Sequence, residues 1–244
     1  MKSIVIGDLH NNVEEVEGIV SRYPEHKIIF VGDYFDNFGD CSIDATCTAD
    51  WLKYSLKQPN RIHLIGNHDI SYHPNNKKMY MCAGYNYDKQ IAIDQVLTLQ
   101  DWDKLKLLHI EDDWHISHAG LTKQWFEHPV TGFTDIVERI DNLQSTLYDA
   151  YQPSIWEADE TRGGRSKCGG LLWCDWTRLN VINGMNQIVG HTPSKWIDVK
   201  RYPIYNETRN INICVDCFPS EILEIDRKTY KIIKMGKPSQ YSRK

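Results

Sequence analysis

Five short blocks in this chain combine a glycine with an acidic, amide or imidazole residue, each following an apolar run or sitting in an adjoining loop. The blocks are Gly7-Asp8-Leu9-His10, Gly32-Asp33-Tyr34-Phe35-Asp36, Gly66-Asn67-His68-Asp69, Ser117-His118-Ala119-Gly120 and Gly190-His191-Thr192. A glycine at such a point lets the chain turn sharply and lets a ligand approach the backbone. Residues 3–7 and 27–31 are short apolar runs that read as buried strands, and 62–65 reads as a third. Between the first two, Val13, Val16, Ile19 and Val20 recur at helical spacing, and 43–57 again looks helical. Strand alternating with helix predicts an α/β architecture that begins with parallel strands. In open sheets of that kind ligands bind outside the carboxyl ends of the strands, so the polar blocks should converge on one rim.

The second half changes character. Residues 88–99 and 134–150 read as helices, 113–117 as a strand ending at His118, and 186–190 as a strand that stops at His191. Residues 211–215, 222–225 and 231–234 read as successive antiparallel strands. The stretch 152–170, with Pro153 and four glycines, reads as an irregular surface loop. Without an internal repeat, low-complexity tract or linker to divide it, 1–244 reads as one domain.

Bulk properties exclude several classes. A net charge of −5 asks for no counterion-releasing grip on nucleic acid, and no basic stripe with interleaved aromatics appears. No run approaches the roughly 18 apolar residues needed to span a bilayer, so no membrane partner is expected and the cytoplasm is the expected compartment. Seven cysteines, an odd number, point to free thiols rather than a disulfide framework. Cys214-Val215-Asp216-Cys217 has the form of half a zinc site, but no second half has the right spacing, so buried thiols are the better reading.

Taken singly, an Asp or His at a strand end is usually a cap or a turn residue. Jointly, the blocks offer Asp, Asn and His, a donor mixture suited to Mn, Fe or Zn at neutral pH and unlike a structural cysteine site. His63 lies inside an apolar strand and reads as a core residue. His26, His73, His109, His115 and His128 lack partners at ligand spacing and read as surface or satisfied-core residues.

The ordered set G-D-x-H, G-D-x-x-D, G-N-H-D, H-x-G and G-H-T resembles the signature of the calcineurin-like metallophosphoesterases. Residues 28–36, 118–122, 171–175 and 188–193 further resemble landmarks of the protein serine/threonine phosphatase branch and its small bacterial and phage relatives. The resemblance covers roughly residues 1–226 and implies an α/β/β/α sandwich of two mixed sheets flanked by helices. It also implies two divalent metal ions, Mn first, with Fe, Zn or Ni as alternatives. Asp8 and His10 would hold one, Asn67, His118 and His191 the other, and Asp33 would bridge them. A metal-bridging hydroxide would then attack phosphorus in line. His68 would protonate the leaving group, and Asp36 would hold the His68 ring. For a phage protein the compartment would be the host cytoplasm.

The pattern departs from the family in two places. The phosphatase branch usually carries arginine right after the second Asp of G-D-x-x-D and often one just before G-N-H; here Asn37 and Ile65 stand there. Asparagine does not reproduce a bidentate guanidinium grip on phosphate. Arg178, Arg162 and Arg165 are the candidate replacements, with Arg178 foremost. The leading expectation is a phosphomonoesterase acting on a phosphorylated protein or small metabolite. The alternatives are cleavage of a diester or pyrophosphate, such as a cyclic nucleotide or dinucleoside polyphosphate, and a metal-binding scaffold without activity.

Overall fold

The computed structural model describes residues 1–76, 81–122, 133–145, 156–202 and 210–235. Its first sheet is built on β1 (Ser3–Ile6), which is buried throughout and pairs in parallel with β2 (Lys27–Phe30). β2 pairs in parallel with β3 (Arg61–His63). Burial on both faces explains why these strands are continuous apolar runs rather than alternating ones. Along β1 the period-2 alternation still decides the neighbours. Ile4 and Ile6 pack with Val16, Ile19 and Leu52 of helices α1 (Val13–Val20) and α2 (Ser42–Ser55), while Val5 points into a second core.

That second core lies between two sheets. Val5, Ile29 and Leu223 of the first sheet meet Ile116, Ile188 and Ile213 of the second. The second sheet has the order β4 (Leu108–Glu111), β5 (Trp114–Ser117), β6 (Asn186–Val189), β8 (Asn210–Cys214), β7 (Asp198–Tyr202). The result is the expected sandwich of two mixed five-stranded sheets flanked by helices.

Two sequence expectations change, and two strands are added to those expected. The run 211–215 does not join the two strands after it: β8 lies in the second sheet, parallel to β6, whereas β9 (Glu221–Asp226) and β10 (Thr229–Lys234) form a hairpin on β1. The reason is packing, since Ile213 and Leu223 face the same inter-sheet core from opposite sides. β4 and β7 went unread because both are edge strands carrying polar residues, where the alternation signal is weak. The helix expected over 88–99 is two, α4 (Tyr87–Asp94) and α5 (Leu99–Trp102), because Asp101 Oδ2 accepts from both the N–H (3.0 Å) and the hydroxyl (2.8 Å) of Thr98 and starts a new helix.

The remaining helices are α3 (Asn67–Ser71) and α6 (Phe133–Ser145). Residues 146–150 of the helix expected over 134–150, residues 152–155 of the expected loop, and His128 lie outside the described residues. The rest of the loop includes a short 3-10 turn, Glu160–Arg162, and buries Asp159 and Cys168. No described helix is long and apolar enough to cross a membrane.

Candidate metal centre and its acid–base flank

Because β1, β2 and β3 run parallel, as do β5, β6 and β8, their carboxyl ends meet at one rim of the sandwich. The six sequence-predicted metal ligands follow these strands and come together there. Ligand atoms of Asp8, His10 and Asp33 lie within 4.8 Å of one another, as do those of Asp33, His118 and His191. Asp33 belongs to both groups. Asn67 joins them through its Oδ1, which is 2.8 Å from His118 Nε2 and 2.8 Å from His191 Nδ1.

Close approach and unusual backbone make this possible. A Cβ on Gly66 would stand 2.1 Å from Asp33 Oδ1, and one on Gly190 the same distance from Asp8 Oδ1, so only glycine admits the carboxylates. His10, Asp33, Asp36 and His191 all have positive φ, at 44°, 51°, 67° and 66°. Such strain in non-glycine residues collects at functional sites. Asp69 holds the turn in place: its buried carboxylate accepts from the backbone N–H groups of Asp33 (2.8 Å), Tyr34 (2.7 Å) and Gly66 (2.8 Å).

The donor set fits a cation. His118 Nδ1 lies 2.9 Å from the carbonyl of Val31, which can only accept, so the ring proton belongs on Nδ1. Nε2 then presents a lone pair to Asn67 Oδ1, itself an acceptor. The Asn67 amide is oriented from behind: its Nδ2 donates to Cys82 Sγ (3.1 Å), and the thiol donates to the Asn67 carbonyl (2.8 Å). Protonating His118 would resolve the clash, but burial pushes its pKa down, as burial does more strongly for His191. Asp8 Oδ1 and His191 Nε2 are buried without a hydrogen-bond partner. Lone pairs facing one another in a dry cluster are what a divalent ion would satisfy. His10 is set the same way, with Nδ1 3.0 Å from the Phe35 carbonyl.

Beside the cluster sits His68. Its backbone N–H donates to Asp33 Oδ1 (2.9 Å) and its Nδ1 to Asp36 Oδ2 (2.9 Å). Burial works against its charge, but Asp33 and the Asp36 hydrogen bond outweigh it and hold the pKa up at about 9. Asp36 is itself saturated. Its Oδ1 accepts from Tyr72 Oη (2.5 Å) and Lys89 Nζ (2.6 Å).

The arginines separate. Arg162 lies against the cluster, with Nε 3.2 Å from Asp175 Oδ2 and Nη2 3.1 Å from the His191 carbonyl and 3.2 Å from Thr192 Oγ1. Arg165 and Arg178 are exposed, and the charge of Arg178 is felt at the Cys168 thiol. The irregular stretch before Leu171 brings Arg162 beside the cluster, and Arg178, in the turn after Asp175, is exposed to solvent. Asn37 is exposed and accepts from the N–H of Phe38 (2.8 Å), and Ile65 is buried, so neither offers a cation.

His63 is the core residue expected, between Tyr34 Oη and Ser55 Oγ at 3.0 Å each, and burial pushes its pKa down to about 3. Sequence reasoning missed Asp69, Tyr72, Cys82, Lys89 and Asp216. Asp216 follows β8 as Asp8 follows β1, and burial together with nearby Asp33 raises its pKa to about 6 although His10 pulls it down. The strand-end signal that found the ligands points to it as well; the cysteines around it drew the zinc question instead. Cys214 and Cys217 are buried free thiols.

Residues 1–195 match the family model of the calcineurin-like phosphoesterases. No curated protein sequence matches the chain. Among solved structures, the cold-active protein-tyrosine phosphatase of a Shewanella species aligns with a TM-score of 0.57 at 14% identity, over 96% of this chain and 80% of that one. A protein serine/threonine phosphatase from Saccharomyces cerevisiae aligns at 0.54 and 16%, over 98% and 82%. A putative diadenosine tetraphosphatase aligns at 0.50 and 15%, over 97% and 95%. At these identities the likeness is one of fold.

Proposed function

The chain belongs to the calcineurin-like phosphoesterase family, whose members hydrolyse phosphoesters with metals, and from that premise we propose a dinuclear phosphomonoesterase acting on a phosphorylated protein or small metabolite. The observation that carries this reading is the pair of three-residue clusters sharing Asp33, each with ligand atoms within 4.8 Å. Asp8, His10 and Asp33 would hold one divalent ion and Asp33, Asn67, His118 and His191 a second, with Mn²⁺ first and Fe, Zn or Ni as alternatives. When bound, two such ions polarise a phosphoryl group and make a water acidic enough to attack it at neutral pH.

The chain's own residues supply the rest. Held at Nδ1 by Asp36, His68 keeps Nε2 free to give its proton to the departing oxygen. Arg162 brings a guanidinium to the side of the cluster where His191 and Thr192 lie. In this reading 1–244 is one domain that extends past residue 195, because β9 adds to the first sheet on β1.

A second reading, hydrolysis of a diester or pyrophosphate, is favoured by Asn37 and Ile65, since a site with fewer arginines discriminates less against a singly charged phosphate. One experiment separates the readings. The protein is loaded with excess Mn²⁺, its metal content measured, and hydrolysis compared on an aryl phosphate and the bis-aryl diester. Two ions per chain and a monoester preference, abolished by chelation and restored by Mn²⁺, are expected. A single ion overturns the dinuclear centre, a diester preference installs the second reading, and two ions without hydrolysis leave a scaffold.

A further inference from the structure

The ammonium of Lys89, in α4, is buried and meets three carboxylate oxygens: Asp36 Oδ1 at 2.6 Å, Asp40 Oδ1 at 2.9 Å and Asp40 Oδ2 at 3.1 Å. A buried charge persists only when paired this fully. The shortest of the three contacts is the one to Asp36. There, Lys89 and Tyr72 together occupy Oδ1, which leaves Oδ2 as the oxygen that receives His68 Nδ1. Gly84 packs on the same carboxylate from the other side; a Cβ there would stand 3.0 Å from Asp36 Cγ. Asp40 carries the connection onward, because its Oδ2 also accepts from Asn11 Nδ2 (2.8 Å), next to His10, and from the N–H of Asn37 (3.2 Å).

We infer that Lys89 is a positioning residue for proton donation: from behind the site it locks the Asp36 carboxylate, and through it the His68 ring, with Nε2 turned to the leaving group. The cation at this carboxylate comes from α4, 53 positions along the chain. Lys89 touches Asp36 and Asp40 rather than a metal ligand, and its link to the proton donor is the Asp36–His68 hydrogen bond. The inference rests on the reading of His68 as the proton donor.

The test uses leaving groups of different need. An alkyl phosphate requires a proton on its departing oxygen, and an aryl phosphate requires little help. In the Mn²⁺-loaded protein, Lys89→Met should lower kcat on an alkyl phosphate by about 10- to 100-fold, the scale on which small misplacement of a catalytic group acts. On an aryl phosphate kcat should change by less than about threefold, with KM and metal content unchanged. Lys89→Arg should recover part of the loss, and in an Asp36→Asn background Lys89→Met should add nothing. Lys89→Gln, which keeps one donor without the charge, serves as a second variant if Lys89→Met does not fold. His68→Asn is measured alongside. If His68→Asn spares aryl and alkyl substrates alike, the donor reading itself fails. If His68→Asn discriminates between them and the Lys89 variants do not, Lys89 is a structural ion pair and the inference is overturned.

Discussion

The two flanks of the site are built on opposite principles. Around Asp36 both carboxylate oxygens find their partners within the chain: His68, Tyr72 and Lys89 on the carboxylate, Asp40 and Asn11 behind them. In the ligand cluster the reverse holds. Asp8 Oδ1 and His191 Nε2 are buried without partners, and His118 turns a lone pair toward that of Asn67. A buried polar group left unsatisfied costs about 1–3 kcal/mol. The Asp36–His68 flank therefore holds itself together, while the cluster keeps unpartnered buried atoms of the kind a divalent ion would satisfy. Carboxylates, imidazoles and strained backbone are common to both flanks; what distinguishes them is whether the chain closes its own hydrogen bonds.

That contrast breaks most visibly at Asp33, which stands in both metal-ligand groups and also accepts from the His68 N–H. Asp33→Asn should lower metal content below one ion per chain and kcat by about 10³-fold or more, the loss of about 4 kcal/mol of transition-state stabilisation. Elemental analysis with single-substrate kinetics reads both. The stability response should split along the same line: saturating Mn²⁺ at about 100 times its Kd adds about 2.7 kcal/mol to the wild-type fold, and little to the Asp33 variant. Equal thermal shifts in the two proteins would show that the cluster is not where the ion binds.

His68 tests the other flank. His68→Asn should cut kcat on alkyl phosphates by about 10²–10⁴-fold and spare aryl phosphates, with both ions retained. The pH dependence has a definite sign. A histidine whose pKa is raised carries its proton below that pKa, so donation is present at neutral pH and lost as pH rises through it. Asp33 and the Asp36 hydrogen bond hold that value at about 9 against the opposing effect of burial, and cations bound nearby would lower it. The alkyl-phosphate profile should therefore lose its upper limb in the variant, while the aryl profile keeps its shape.

The same contrast explains what the sequence discloses. The cluster is legible because its parts are local: each ligand follows a strand within a short block that contains a glycine, and the block carries the whole signal. Asp36 and His68 come with those blocks. Lys89 and Tyr72 do not, since they reach Asp36 across 53 and 36 residues from helix and loop positions that carry no motif. The sheets divide in like manner. Buried strands such as β1 and β2 announce themselves as apolar runs, whereas the edge strands β4 and β7 blend into polar sequence, and the neighbours of β8 are not legible locally because topology is set by packing across the sandwich. Asp216 is the instructive miss, a strand-end acid like Asp8 but without the glycine that marks Asp8, in a stretch whose cysteines are its stronger signal.

The smallest expected effect concerns the cation that belongs to neither flank. Arg162 spends Nε on Asp175 and Nη2 on the His191 carbonyl and Thr192, and its side chain keeps about a quarter of its surface in solvent (27%). Its Nη1 is in none of these contacts. A charge-assisted bond from such a group to a phosphate oxygen is worth about 1.5–3 kcal/mol, which partial exposure reduces toward the lower figure. Arg162→Ala should accordingly raise KM for monoesters about tenfold, at 1.4 kcal/mol per decade, with kcat and metal content little changed. Arg162→Lys should recover less than half of that on a logarithmic scale, because an ammonium cannot hold Asp175 and present a second fixed donor at once. Diesters, which carry one charged oxygen fewer, should lose less than monoesters. Arg178→Ala, at the exposed position, should leave KM within about twofold of the wild type. A tenfold rise in the Arg178 variant with none in the Arg162 variant would return the phosphate contact to the turn after Asp175 and leave Arg162 as a strut beneath His191.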